Sequence, residues 1–443
     1  MSKVVIIGNG ISGITAARHV RKNSDNEIVV ISAESDHFFS RTALMYVFMG
    51  HMRFQDIKPY EDYFWEKNRI DLVNDYVDHI DTDAKSLQMK SGIDITYDQL
   101  ILAVGSKPNK FGWPGQDLHG VQGLYSFQDL EEIEKNAVDT KHAVIVGGGL
   151  IGVELTEMLI SRGIEVTFLV RESHFWGSVL STDESELIGR HIKSHHVDLR
   201  FNTELEEIIA DSSGRVGSIK TKDGEIIECQ VVGLTTGVSP NVEFIKSSHI
   251  EVERGIKINE FFETNIPNVY AIGDCAQFNE SVNGRRTIEQ VWYTGRIMGE
   301  TVAQTICGNR MAYNPGPWFN SAKFFDIEYQ TYGMVYPETQ EGESNFYWEH
   351  SGEKMCLHVV WDTETGEFKG LNIFGIRLRH DLFDQWLKAK VSVDVVMSEL
   401  RSANFDPELF RTYEKEIVDQ FNKATGRNIE LKAKQWWRKL LTK

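Results

Sequence analysis

At 443 residues, 41% of them hydrophobic, the chain is too long for one ordinary domain and has enough apolar mass for several full cores. A formal charge of −18 argues against nucleic acid as a partner, and no run of eighteen apolar residues offers a membrane span. Met1-Ser2-Lys3 leads straight into an apolar strand rather than a signal peptide, so a cytoplasmic location is the default expectation.

The four cysteines, Cys229, Cys275, Cys307 and Cys356, form no CxxC or CxxxxC pair. That spacing fits isolated, reduced thiols serving as small buried hydrophobes, not a zinc site or a dithiol centre. His195-His196 has no second ligand pair near it and reads as surface helix, so no metal ligand is assigned.

The first predicted element is the strand Val4-Val5-Ile6-Ile7, four β-branched residues with no polar face, as expected of a parallel strand buried on both sides. Gly8-Asn9-Gly10-Ile11-Ser12-Gly13 follows. In this pattern Gly8 allows the tight turn, Gly10 leaves room for a pyrophosphate, and Gly13 lets the next helix pack close to the sheet. The helix N-terminus supplies N–H groups and a positive dipole end for the phosphates. A second strand, Ile28 to Ile31, leads to Glu34, where an acid accepts from a ribose diol. Beyond it, Arg41 is a fixed cation among aromatics, either facing a cofactor's phosphates or ring or salt-bridged at the surface.

Short strands with turn residues run from Val77 to Tyr97, and Leu100 to Val104 reads as a buried strand closed by Gly105 and Pro108. His142 to Val146 then opens a second strand-turn-helix unit with Gly147, Gly149 and Gly152, and Glu165 to Val170 is its second strand. At that strand's end Glu172 suits the ribose diol of NAD and Arg171 the extra phosphate of NADP. Two dinucleotide sites in one chain imply electron transfer between two cofactors.

Three meander strands are expected at Leu199 to Phe201, Val216 to Thr221 and Ile226 to Val232, before a strand and breaker ending Thr236-Gly237. Asn268 to Ile272 is a buried strand closed by Gly273 and Asp274, whose carboxylate suits a sugar hydroxyl or a helix N-cap. A helix is expected over Thr287 to Ile306, its first residues Glu289, Gln290 and Trp292 aimed at the strand edge. From about Pro315 the pattern becomes α+β, with strand-like segments at Phe319 to Thr331, Asn345 to Glu349, Met355 to Asp362 and Phe368 to Phe374 and helix-like ones at Asp381 to Lys388 and Val393 to Leu400. In the tail, Ile429, Ala433, Trp436, Trp437, Leu440 and Leu441 share one helical face amid Lys432, Lys434, Arg438 and Lys439. Such a basic amphipathic helix lies on a membrane surface, docks on an acidic partner or packs on its own domain.

The expected fold is therefore α/β, with two Rossmann-like dinucleotide-binding domains and a C-terminal α+β domain. The first would comprise residues 1–112 and 245–314, the second 113–244, the C-terminal module 315–427 and the tail helix 428–443.

The two glycine motifs, the Thr236-Gly237 strand end and Ala271-Ile272-Gly273-Asp274 occur in the order found in the FAD-dependent pyridine nucleotide-disulphide oxidoreductase superfamily, which the chain resembles over about residues 3 to 310. The resemblance implies an FAD domain in two segments, an NAD(P)H domain inserted between them, and FAD with NADH or NADPH as cofactors. By it, Glu34 would hold the adenosine ribose and Asp274 the ribityl chain, and Glu154 matches a glutamate near the meeting of nicotinamide and flavin, the catalytic candidate. Gly8, Gly10, Ser12, Gly13, Arg41, Gly105, Gly147, Gly149, Gly152, Arg171, Glu172, Gly237, Gly273 and Gln290 complete the expected cofactor-binding set.

Ser40-Arg41-Thr42 stands where coenzyme A disulphide reductases and NADH oxidases of the superfamily have a cysteine. The stretch Glu34 to Leu44 instead resembles the rubredoxin, ferredoxin and nitrite reductase branch, with Arg41 and Leu44 matching, Thr42 replacing a proline and Tyr46 a lysine. That branch implies a small electron-carrier protein, or a small-molecule acceptor, as partner. Ala43 to Gly50 also resembles type II NADH dehydrogenases, quinone reducers that sit on membranes through C-terminal helices. A third class, redox-gated binding proteins resembling apoptosis-inducing factor, shares the fold, and a homodimer is compatible with each reading.

Overall fold

The computed structural model describes residues 1–352, 354–405 and 411–433. Its first sheet is five-stranded, in the order Val269–Ala271, Gln99–Leu102, Lys3–Ile7, Glu27–Ser32, Ile70–Asn74, with every pairing parallel. Apolar residues on both faces of these strands demand cover on both faces. The helices Ile11–Asn23 and Trp292–Ile306 pack against each other closely enough that a Cβ at Gly299 would lie 2.5 Å from the Ser12 carbonyl oxygen. A three-stranded antiparallel meander, Val77–Asp81, Ser86–Met89 and Asp94–Thr96, joins the same core.

The second five-stranded sheet runs Asp198–Arg200, Glu165–Leu169, His142–Val146, Val231–Leu234, Val121–Gln122. Here the strands expected between 199 and 232 are redistributed. Asp198–Arg200 belongs to this sheet, Leu205–Ala210 takes its expected place in the meander, and Val231–Leu234 separates from Ile226–Glu228 to pair with His142–Val146. The reason is burial. Val231 to Leu234 is buried at every position, so it suits a parallel interior strand, whereas Ile226–Glu228 alternates exposed and buried.

By packing, the described residues form two compact units, 1–147, 155–167 and 204–315 in one and 148–154, 168–203 and those described from 316 to 433 in the other. The second contains a five-stranded antiparallel sheet, Phe319–Phe324, Ile327–Gly333, Phe368–Phe374, Cys356–Asp362, Glu343–Glu349. The single strand expected over Phe319 to Thr331 is a hairpin, turned at Phe325, whose φ is 55°. Tyr332, Trp348, Leu371 and Phe383 centre its core, under the helices His380–Lys388, Val393–Ser398 and Glu414–Thr425.

Two expected helices are corrected. The one expected from Thr287 begins at Trp292, because Glu289 is drawn sideways into a buried pair with Arg285, 3.1 Å away, and accepts from the Tyr313 hydroxyl. Over residues 428–433 the tail is not helical. Gly426 ends the preceding helix at φ 70°, Asn422 exchanges hydrogen bonds with the Ile429 backbone, and the Lys432 N–H donates to the Ser398 carbonyl. Residues 434–443, with Trp436 and Trp437, lie outside the described residues. No helix among the described residues is long and apolar enough to cross a membrane.

All four cysteines are free. Burial pushes the Cys229 and Cys275 thiols up to about 12 and raises the Cys356 thiol well above its ordinary value, while Cys307 is only partly covered. A thiol-labelling time course on native protein is expected to show Cys307 reacting first and the other three only after unfolding.

Candidate functional site

The first glycine turn is shaped by what surrounds it. A Cβ at Gly8 would lie 2.1 Å from the Ala103 carbonyl oxygen and one at Gly13 2.0 Å from the Gly8 carbonyl oxygen, so backbone fills both places. At Gly10 a Cβ would meet nothing within 4 Å. The turn is thus closed behind and open in front, where Gly10 starts the helix Ile11–Asn23 with no side-chain cap. Its first-turn N–H groups remain available to an anion. The donor set and the open space both fit a pyrophosphate. The second turn repeats the pattern: a Cβ at Gly147 would sit 2.6 Å from the Thr235 carbonyl oxygen, and one at Gly149 would meet nothing within 4 Å.

From the first turn a line of polar groups crosses the sheet edge. Glu34 accepts from Arg41 through both carboxylate oxygens, at 2.7 and 2.6 Å, and from the Phe127 N–H at 2.9 Å. Arg41 also donates to the Tyr125 carbonyl, and its guanidinium lies 4.6 Å from that ring's centroid. The Tyr125 hydroxyl accepts from the Ser106 N–H at 2.9 Å, and the Ser106 hydroxyl donates to Asp274 at 3.2 Å. Gln290 donates to the same hydroxyl at 2.8 Å. Of the two alternatives open for Arg41, the structure shows the salt bridge, made with Glu34.

Electrostatics follow from this wiring. Burial opposes the Arg41 charge, but the hydrogen bonds and charge of Glu34 outweigh it and hold the guanidinium above its ordinary value. Burial pushes the Asp274 carboxyl up to about 6, with the Ser106 hydrogen bond and Arg41 acting the other way. Burial also pushes the Tyr125 phenol up to about 12. Beside Glu34 opens a cavity of about 340 Å³, lined by His37, Phe54, Lys58, Phe127 and Gln128.

Ser12 lies under this site, close enough that a Cβ at Gly273 would be 2.4 Å from its hydroxyl oxygen. Gly105 and Gly237 flank the antiparallel pair Ser106–Pro108 and Val238–Pro240, tied by the Asn109 N–H donating to the Gly237 carbonyl. Gly152 is buried and Glu154 half-buried on the helix Leu150–Ser161. Arg171 donates to Glu172 at 2.7 Å on the surface, so the two groups offered for nucleotide choice contact each other. Glu289, expected at the strand edge, is instead a buried structural acid, as described above.

Sequence reasoning missed Ser106 and Tyr125. Ser106 follows a glycine at a strand end, a signal that was present, whereas Tyr125 sits 84 positions from Arg41 with no motif around it. It also passed over His191 and Asp326, which join His195 in a cluster in the second unit.

Residues 2–302 match the sequence model of the family described as pyridine nucleotide-disulphide oxidoreductase. An NADH oxidase of Methanocaldococcus jannaschii is 31% identical over 350 residues, covering 75% of this chain and 76% of that protein. An NADH-rubredoxin oxidoreductase of Clostridium acetobutylicum is 28% identical over 356 residues, covering 77% and 86%. Among solved structures, a ferredoxin reductase from Rhodopseudomonas palustris has a similar fold, with a TM-score of 0.78 at 22% identity, covering 85% of this chain and 91% of that one.

Proposed function

This chain belongs to the pyridine nucleotide-disulphide oxidoreductase family, and from that premise we propose that it passes electrons from NAD(P)H through FAD to a small carrier protein such as a ferredoxin or rubredoxin. It is an FAD-dependent NAD(P)H oxidoreductase, and FAD and a nicotinamide nucleotide are its cofactors. When bound, FAD supplies the hydride acceptor and the electron relay; the protein supplies binding, orientation and electrostatics.

In this reading the uncapped helix N-terminus behind Gly10 holds the pyrophosphate, and Glu34 with Arg41 faces the adenosine ribose beside the cavity. Asp274, buttressed by Ser106 and Gln290, accepts from the ribityl hydroxyls. Gly147 to Gly152 holds the nicotinamide nucleotide, and Glu154 stands near the meeting point of the two rings.

The observation that carries an external acceptor is the segment Ser40-Arg41-Thr42. Arg41 there is committed to Glu34 and Tyr125, Ser40 and Thr42 contact each other at 3.3 Å, and all four cysteines are free and remote in sequence. No thiol relay stands in that segment, so the acceptor must reach the flavin itself. A location in the cytoplasm belongs to the same proposal.

The test is anaerobic mixing of the FAD-loaded protein with NADH and, separately, NADPH, followed by addition of a ferredoxin or rubredoxin. Fast flavin bleaching by one nucleotide and saturable reduction of the carrier, weakening with salt, is the expected result. Rapid re-oxidation by oxygen or quinone with an inert carrier would replace the carrier as acceptor. Slow bleaching with a lasting long-wavelength band would favour a redox-gated binding protein.

A further inference from the structure

The second unit holds a cluster that the cofactor sites do not use. His191 lies in the last turn of the helix Thr182–Ser194 and His195 caps it, one helical turn apart on the same face. The hairpin turn between Phe319–Phe324 and Ile327–Gly333 brings Asp326 up to both. His191 Nε2 is 2.7 Å and His195 Nε2 3.3 Å from the same Asp326 Oδ1. The ligand atoms of all three residues lie within 4.8 Å of one another.

Each donor is held by its surroundings. The His195 ring stacks on Phe325, with centroids 4.3 Å apart and planes 9° from parallel. The His191 side chain is 1% exposed, while Asp326 is 66% exposed, so the cluster is anchored on one side and open to water on the other.

We propose that His191, His195 and Asp326 bind a divalent transition cation, Zn²⁺ being the best fit, and clip the helix to the hairpin. Two imidazole nitrogens and one carboxylate oxygen, with histidines spaced i and i+4 on a helix, form the donor set of a three-ligand zinc site with a remaining position for water. Tetrahedral Zn–N and Zn–O bonds of about 2.0–2.2 Å place neighbouring donors about 3.3 Å apart. The His195 contact already has that separation, and a small rotation of the exposed Asp326 carboxylate brings the His191 contact to it.

Three local groups limit the affinity. The Phe324 carbonyl lies 3.1 Å from His191 Nε2 and accepts a hydrogen bond from its N–H when no metal is bound, so the metal must displace that proton. His191 Nδ1 is buried with no hydrogen-bond partner among the described residues, so the ring lacks the outer support that tight sites have. The Lys354 ammonium, 3.5 Å from Ser194 Oγ, repels a dication. Micromolar binding is therefore expected.

The experiment uses the untagged, full-length, flavin-loaded protein after treatment with a chelator. Calorimetric titration with ZnCl₂, and a parallel Co²⁺ titration read by its visible d–d absorption, should show one site. His195→Ala and Asp326→Asn should each weaken binding at least about tenfold, Lys354→Ala should tighten it, and Zn²⁺ should raise the Tm of the wild type but not of the two ligand variants. Both ligand positions are on the surface, and flavin content checks that the variants fold. Absence of binding, or binding unchanged in the His195→Ala, Asp326→Asn double variant, would overturn the site.

Discussion

Gly13→Val is expected to unfold the first dinucleotide unit or leave it unable to hold flavin. A Cβ there would stand 2.0 Å from the Gly8 carbonyl oxygen and 3.2 Å from the Ile6 side chain. The Gly8 backbone cannot move aside cheaply, because its φ is 112° and its N–H is donated to the Ile31 carbonyl at 2.8 Å. Valine gains a few tenths of a kcal/mol in helix propensity over glycine, against an overpacking cost of about 1–3 kcal/mol or more. The clash wins. Gly10→Ala is the informative partner, since a methyl group there meets nothing within 4 Å and φ is an ordinary −70°. It should keep the wild-type Tm in flavin-free protein while flavin affinity falls at least about tenfold, or 1.4 kcal/mol. Thermal melts and the flavin-to-protein absorbance ratio read both effects. Full flavin retention by Gly10→Ala would refute the assignment of that space to a phosphate.

The second large effect is expected at Asp274, where stability and binding should move in opposite directions. Burial raises this carboxyl from 3.8 to about 6 in the folded, flavin-free protein. Between about pH 4 and pH 6 the folded chain keeps a proton that the unfolded chain has released, so stability falls as pH rises through that window. Above it the ionised, buried group costs on the order of 3 kcal/mol. Asp274→Asn removes the ionisation while keeping the shape. The variant should be more stable than the wild type at neutral pH and lose the part of the fall that Asp274 contributes over the same window, yet bind flavin more weakly because an anionic acceptor is gone. Urea melts of flavin-free protein across pH, with flavin titrations beside them, give both readings. Parallel pH profiles for the two proteins would show that Asp274 is not the group responsible.

Much of the glycine-turn and strand-edge geometry was legible because its signals are local. Gly8, Gly10 and Gly13 work within one strand-turn-helix, and Glu34 and Asp274 each follow, by two or three residues, a strand whose apolar run is plain in the sequence. What could not be read depends on the folded path. Tyr125 joins Arg41 to Ser106 across separations of 84 and 19 positions, and no periodicity marks it. Glu289 has the charge and position of a site residue, but Arg285 and Tyr313 claim it. His195-His196 read as surface helix because its partners are not local: His191 lies one turn back on the same helix and Asp326 131 positions beyond His195. The redistribution of the strands near Val231 had a similar origin, since sequence shows where an apolar run lies but not which sheet will receive it.

The order of the first sheet also has a consequence for synthesis. The strand Gln99–Leu102 has Lys3–Ile7 on one side, and its other neighbour, Val269–Ala271, is encoded much later. At about 5–20 residues per second, the ribosome makes the intervening segment in about 8–30 s. Throughout that interval the nascent sheet presents an open, apolar edge of the kind that recruits other strands. The helix Trp292–Ile306, which covers Ile11–Asn23, emerges later still. Nascent chains stalled before residue 269 should therefore bind chaperones strongly, and those extended past residue 306 should be released.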